Sequence, residues 1–158
     1  MKASWVAKEN YHLTLRFLGD IDPALTVELN HLCRKVAERV EPFECILDRL
    51  GAFPTVDRPR VLWYGGEAPA NLRRLTSALS RGLAELGFPS TKTDPIAHIT
   101  LARIKDHPDP PLANIIDAFG SIKPMRLNVD RIVLMESMLS PQGAIYTPLF
   151  TTKLGAFR

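Results

Sequence analysis

Two stretches of the chain alternate in the same way. In His12-Leu13-Thr14-Leu15 and in His98-Ile99-Thr100-Leu101 the apolar residues fall on every second position. Successive side chains of an extended strand point to opposite faces, so His12 and Thr14 share one face, while Leu13 and Leu15 share the other. The second stretch repeats this with His98 and Thr100 against Ile99 and Leu101. The pattern around them predicts the remaining elements. Tyr11 to Leu18 reads as a strand closed by Gly19-Asp20. Asp22 is placed as an N-cap with Pro23 behind it, and Leu25, Leu29, Leu32, Val36 and Val40 recur at helical spacing, a helix of about five turns ending before Pro42. Phe43 to Leu50 alternates as one strand, and Gly51 to Pro59 is rich in turn formers. Val61 to Tyr64 is a buried strand stopped by a turn at Gly65-Gly66. A second helix carries the stripe Leu72, Leu75, Leu79, Leu83, Leu86 and ends at Gly87. The second His strand spans 96–104, a short helix 112–119, and strands lie around 125–129, 131–139 and 145–152.

This order is an imperfect internal repeat. The second half reads strand, helix, His strand, helix, strand; the first reads His strand, helix, strand. The expectation is an α+β fold built as a bilobal pseudo-twofold duplication, 1–158 forming one domain with interleaved lobes. On this reading the first lobe lacks an opening strand and helix, roughly 25 to 30 residues by comparison with the second. An unpaired edge of that kind invites self-association.

Composition narrows the class. With 158 residues, 46% hydrophobic and 23% charged, the chain fills one core as an ordinary globular domain. A net charge of +3 is compatible with a polyanionic substrate but not with the dense basic runs of a chromatin protein. Cys33 sits in a helical pattern and Cys45 in an apolar strand, so both read as buried thiols, which favours a cytoplasmic setting. No apolar run approaches a membrane span, and residues 1–10 show no signal-peptide core.

The two motifs suit phosphate chemistry. Opening a cyclic phosphodiester needs a base on one side of phosphorus and an acid on the other, and imidazoles, with an ordinary pKa near 6.5, can serve as both close to neutral pH. Hydroxyls beside them can donate to the non-bridging oxygens. The polar faces of the two motifs, carried on separate sheets, are expected to converge on one phosphate. Arg16 has the parity of His12, and either touches the phosphate or lines a solvated rim. Arg103, five residues after His98, reaches the site only if the strand bends, bulges or ends near Ala102. Trp5, Phe53, Trp63 and Tyr146 are aromatic candidates for stacking on a base, Trp63 reading also as core. His31 and His107 read as solvent-facing. No carboxylate or thiolate accompanies either motif histidine at ligand spacing, so no metal and no cofactor is expected.

These residues resemble a known group, the two-histidine phosphoesterase superfamily, and within it the RNA 2′,3′-cyclic phosphodiesterases, also called 2′-5′ RNA ligase-like proteins. The resemblance runs over nearly the whole chain. It rests on Trp5-Val6-x-x-Glu9-Asn10-x-His12-Leu13-Thr14-Leu15-Arg16-Phe17-Leu18-Gly19 and on Ala97-His98-Ile99-Thr100-Leu101-Ala102-Arg103. Gly51-x-Phe53-Pro54, Arg60-Val61-Leu62-Trp63, Ser137-x-Leu139, Gly143 and Tyr146 add weaker landmarks. It implies a bilobal α+β fold with a central cleft between two antiparallel sheets and helices outside, and metal-independent opening of the 2′,3′-cyclic phosphate end of an RNA or oligonucleotide to a 2′-phosphate, with reversible 2′-5′ ligation in some members. His12 would protonate the leaving 3′ oxygen, His98 would activate water, and Thr14, Thr100 and Arg103 would hold the phosphate. A nucleotide- or RNA-binding module of the same fold without catalysis is the alternative expectation.

Overall fold

Leu29, Cys33, Val36 and Ala37 fall on one side of a helix, and they are its buried residues. This helix, α1 (Thr26–Ala37), is entered through a short 3-10 turn at Pro23–Leu25, where the Asp22 carboxylate accepts the Ala24 N–H at 2.9 Å, the cap the sequence predicts. The α-helical part is shorter than the five turns expected. The second stripe behaves the same way: α2 (Ala70–Glu85) buries Leu72, Leu75, Leu79 and Leu83. The stripes meet, so that Cys33, Val36, Ala37 and Val40 pack with Leu75, Leu79, Ile132 and Leu154. Leu75 is fully buried there, and cutting such a side chain back to alanine costs about 2–5 kcal/mol.

The architecture comes from a computed structural model that describes residues 1–92 and 96–155. Its strands are β1 (Ala3–Trp5), β2 (Phe43–Leu47), β3 (Arg49–Pro54), β4 (Pro59–Glu67), β5 (Ile96–Ile104), β6 (Met125–Val129), β7 (Arg131–Ser140) and β8 (Gly143–Lys153). A third helix, α3 (Leu112–Ala118), follows β5. All strand pairings are antiparallel, in an α+β arrangement. Where two sheets were expected, the described strands form a four-stranded sheet in the order β1-β5-β4-β3 and two separate pairs, β2-β6 and β7-β8. Among the described residues no helix is long and apolar enough to cross a membrane.

Three expectations are corrected. Phe43 to Leu50 is two strands, not one: at Asp48, whose N–H donates to the Gly65 carbonyl at 2.9 Å, the chain leaves the pairing with β6 and joins β4. Alternation cannot reveal this, because it reports which face is buried and not which neighbour a strand has. Gly65-Gly66 is not a turn. β4 runs through both, because other backbones approach them closely: a Cβ at Gly65 would lie 2.4 Å from the Ala97 oxygen, and one at Gly66 2.0 Å from the Ile46 oxygen. Finally, Tyr11 to Leu18 is no regular strand. It pairs with β5 at one residue, Leu13 opposite Ile99, and is otherwise irregular.

Both cysteines are free and buried, and burial pushes each thiol from the ordinary 9.0 up to about 11. A thiol held neutral in the folded state favours folding at every pH below 9.0, and this contribution is lost as pH rises toward 11. Iodoacetamide at pH 8 is therefore expected to leave Cys33 and Cys45 unmodified in the native protein and to alkylate both in guanidinium. The fall in unfolding free energy between pH 9 and 11 should be smaller in Cys33→Ala/Cys45→Ala, and rapid native alkylation would contradict this account.

Candidate active site

The single bridge between Leu13 and Ile99 organises the site. Both residues point into the core, where Leu13, Leu15, Ala97, Ile99 and Leu101 pack with Cys45, Leu47, Ala68 and Leu72. Their neighbours must face the other way. In an antiparallel register centred on this pair, Thr14 stands opposite His98 and His12 opposite Thr100. The four groups form a quadrilateral with imidazoles on one diagonal and hydroxyls on the other, and such a diagonal spans about 7–8 Å. The motifs thus lie side by side on adjacent segments of backbone. They do not confront each other from separate sheets, which corrects that expectation: a bridge between the two segments places both polar sets on one face.

Each imidazole is oriented through its own backbone. His12 donates its Nδ1–H to the Asn10 carbonyl at 2.7 Å, and His98 Nδ1 stands 3.5 Å from the Ile96 carbonyl, the same two-residue geometry. In that tautomer Nε2 carries the lone pair of the neutral ring. Surroundings differ. His12 is exposed and meets Tyr146 edge-on, with ring centroids 5.3 Å apart, and the Asn10 amide ties the same segment to the Ala144 carbonyl at 3.3 Å. His98 is half-buried against Phe53 at 4.9 Å and Trp63 at 6.2 Å. Trp63 can lie there because a glycine opposes it: a Cβ at Gly51 would come within 2.2 Å of the indole. Trp63 is thus both core and wall, whereas Trp5 is 63% exposed. The two glycines carry no signal in sequence beyond their strand context.

Arg103 reaches this face through the bulge its position requires. In β5, Ala102 pairs with Leu62 and Thr100 with Trp63, leaving Leu101 without a partner in β4. The extra residue reverses parity, so Ala97, Ile99, Ala102 and Ile104 are buried, while His98, Thr100 and Arg103 share the opposite side. Arg103 is exposed. Arg16 is engaged elsewhere: its guanidinium donates to Thr91 Oγ1 at 2.8 Å and to the Pro89 carbonyl. His31 and His107 are exposed, as expected. Among the described residues, no three His, Cys, Asp or Glu side chains gather as a metal-binding group.

Two His-x-Thr segments set side by side on an α+β scaffold, with an arginine brought to the same face by a bulge, define the class. Comparison with known proteins places it further: the chain belongs to the 2′-5′ RNA ligase superfamily, whose profile matches residues 3–138. It is 38% identical over 150 residues to an RNA 2′,3′-cyclic phosphodiesterase of Aeropyrum pernix, spanning 94% of this chain and 84% of that protein. It is 34% identical over 153 residues to one of Aquifex aeolicus, spanning 96% and 81%. Among solved structures, TT0787 of Thermus thermophilus superposes with a TM-score of 0.78 at 28% identity, covering 97% of this chain and 82% of that one. E. coli LigT complexed with 3′-AMP gives 0.73 at 28% identity, covering 95% and 80%.

The segment bearing His12 is tethered at a few separate points, and Arg16 supplies two of them. Arg16→Ala is expected to lower stability by about 1–3 kcal/mol, the cost of removing hydrogen bonds from a partly buried charged group. Amide exchange at residues 14–18 should accelerate more than exchange in β4. Equal protection in mutant and wild type would show that Arg16 does not hold this segment.

Proposed function

We propose that the chain hydrolyses the 2′,3′-cyclic phosphate end of RNA to a 2′-phosphate without a metal. The observation that carries this reading is the Leu13–Ile99 bridge, because it sets His12 and His98 on one diagonal of a face whose other diagonal holds Thr14 and Thr100. A tetrahedral phosphate seated between the diagonals has an imidazole to either side. His98 Nε2 takes a proton from water as the new P–O bond forms. His12, protonated, gives its proton to the 3′ oxygen as the P–O3′ bond breaks. The Thr14 and Thr100 hydroxyls and the Arg103 guanidinium bear on the non-bridging oxygens, where charge builds. Arg16, turned toward Pro89 and Thr91, acts by positioning its segment rather than by holding phosphate. The names of the similar proteins support the hydrolytic reading, and that of the superfamily supports 2′-5′ ligation as the same ring opening at the same centre, with the 5′-hydroxyl of a second RNA end attacking phosphorus in place of water and P–O3′ again breaking.

The bilobal duplication belongs to the same reading. An antiparallel pair has a local twofold axis, and the matching order of motif, α1, β2 and of β5, α3, β6 supports a duplication about the one between Leu13 and Ile99. That β2 and β6 also pair with each other, Cys45 opposite Leu127, supports one domain of interleaved lobes. Buried free thiols support a cytoplasmic setting. Self-association is supported by the apolar tip of the β7-β8 ribbon, where Met138 is 63% and Leu139 91% exposed.

An oligonucleotide ending in a 2′,3′-cyclic phosphate, assayed with a chelator present, should give a 2′-phosphate and a bell-shaped pH profile. His12→Ala and His98→Ala should each lower kcat/KM by about 10²–10⁴-fold, the size of a lost acid or base. Near-normal turnover in either variant, or a 3′-phosphate product, would refute the mechanism. Tight binding of a 2′-phosphorylated nucleotide with no turnover of the cyclic form would favour a binding module instead.

A further inference from the structure

Past Arg103, where β3 and β5 end and β4 begins, lies a cavity the proposed chemistry does not use. The cavity has a volume of about 370 Å³ and is lined by Pro54, Arg58, Pro59, Arg60, Asp106 and His107. It lies at the end of β5 away from the histidines. From His98 to Ile104 there are five paired steps and one bulged residue, about 17 Å at about 3.3 Å per step. Arg103 stands between, opposite Val61 and one strand away from Arg60. Arg58, Arg60 and Arg103 are all exposed, and none makes an ion pair or guanidinium hydrogen bond among the described residues. Acidic groups are present but outnumbered: Asp57 lies in the adjoining turn, and Asp106 accepts the Lys2 backbone N–H at 2.8 Å. The other end of the sheet is different. There Arg49 is paired with Asp48 at 2.8 Å and Glu67 closes β4. Beyond Arg103, this end of the sheet carries two further exposed arginines with no carboxylate partner among the described residues, whereas Arg49 at the other end is paired.

We propose that this cavity is a subsite for the phosphodiester backbone of the RNA strand, several nucleotides upstream of the cyclic end, with Arg58 and Arg60 binding its phosphates. The proposal rests on the hydrolytic reading above and adds a dependence on substrate length. Two exposed guanidiniums aimed at backbone phosphates read charge and not bases, so the subsite is indifferent to sequence and sensitive to salt.

The test compares kcat/KM for 2′,3′-cyclic-phosphate RNAs of two and ten nucleotides. Wild type should favour the longer by about tenfold, on the order expected for two guanidinium–phosphate pairs. In Arg58→Gln/Arg60→Gln the ratio should fall toward one, and the log–log salt slope for binding the ten-nucleotide RNA should flatten by about 1.4, about 0.7 for each single-strand phosphate no longer neutralised. Arg58→Lys/Arg60→Lys should keep most of that slope. Equal use of both lengths by wild type, or a ratio that survives the glutamine changes, overturns the subsite. If folded wild type turns over neither RNA, the hydrolytic reading fails by itself. Equilibrium binding of the ten-nucleotide RNA then decides the subsite, and an affinity unaffected by the glutamine changes overturns it.

Discussion

One backbone pairing, Leu13 with Ile99, underlies the chemistry of this molecule. Its strength lies less in its own hydrogen bonding than in what the core demands of its two residues. Leu13 and Ile99 are packed among Cys45, Leu47, Ala68 and Leu72, and turning either outward would expose apolar surface at about 25 cal/mol per Å². Because side chains alternate strictly, that demand fixes the polar face as well. A slip of one residue in either segment would drive an imidazole into hydrocarbon and a leucine into water.

The two halves of the site are held very differently. The His98 half lies in β5, an inner strand paired with β4 along most of its length and with β1 near its C-terminal end, and it leans on Phe53 and Trp63. The His12 half is a segment of irregular backbone fastened at separate points: the bridge, the Asn10 hydrogen bond to Ala144 and the grip of Arg16 on residues 89 and 91. Few ladder bonds and partial exposure are the signature of a region that opens locally before the rest of a protein. One histidine is thus presented by a rigid strand and the other by a tethered loop.

Much of this was legible in the residues. Leu72, Leu75, Leu79 and Leu83 named the buried side of α2, residues 96–104 were readable as a strand, and the His-x-Thr pair pointed to the two segments that the structure brings side by side. Parity says that Arg103 joins His98 only if the strand bends, bulges or ends near Ala102, and of these the structure has the bulge, at Leu101. What stayed hidden was the identity of strand neighbours. The departure of β2 from β3 at Asp48, the passage of β4 through Gly65-Gly66 and the side-by-side placement of the two motifs are long-range facts. Glycine reads as a turn signal until one knows that the Ala97 and Ile46 carbonyls approach it. Arg16 had the right parity for the site, but parity cannot say that its partners are Thr91 and Pro89.

The local twofold about Leu13 and Ile99 has an outcome for regiochemistry. A cyclic phosphodiester presents two nearly equivalent ester oxygens, and a quartet of groups related by a twofold would accept the ring equally well in either orientation. Selection of one scissile bond must therefore come from whatever breaks the symmetry. Here that is the difference between an imidazole wedged beside an indole and a phenyl ring and one standing in solvent beside a single phenol. In the proposed reaction the motif residues supply reactivity, and the unequal aromatic company they keep supplies handedness.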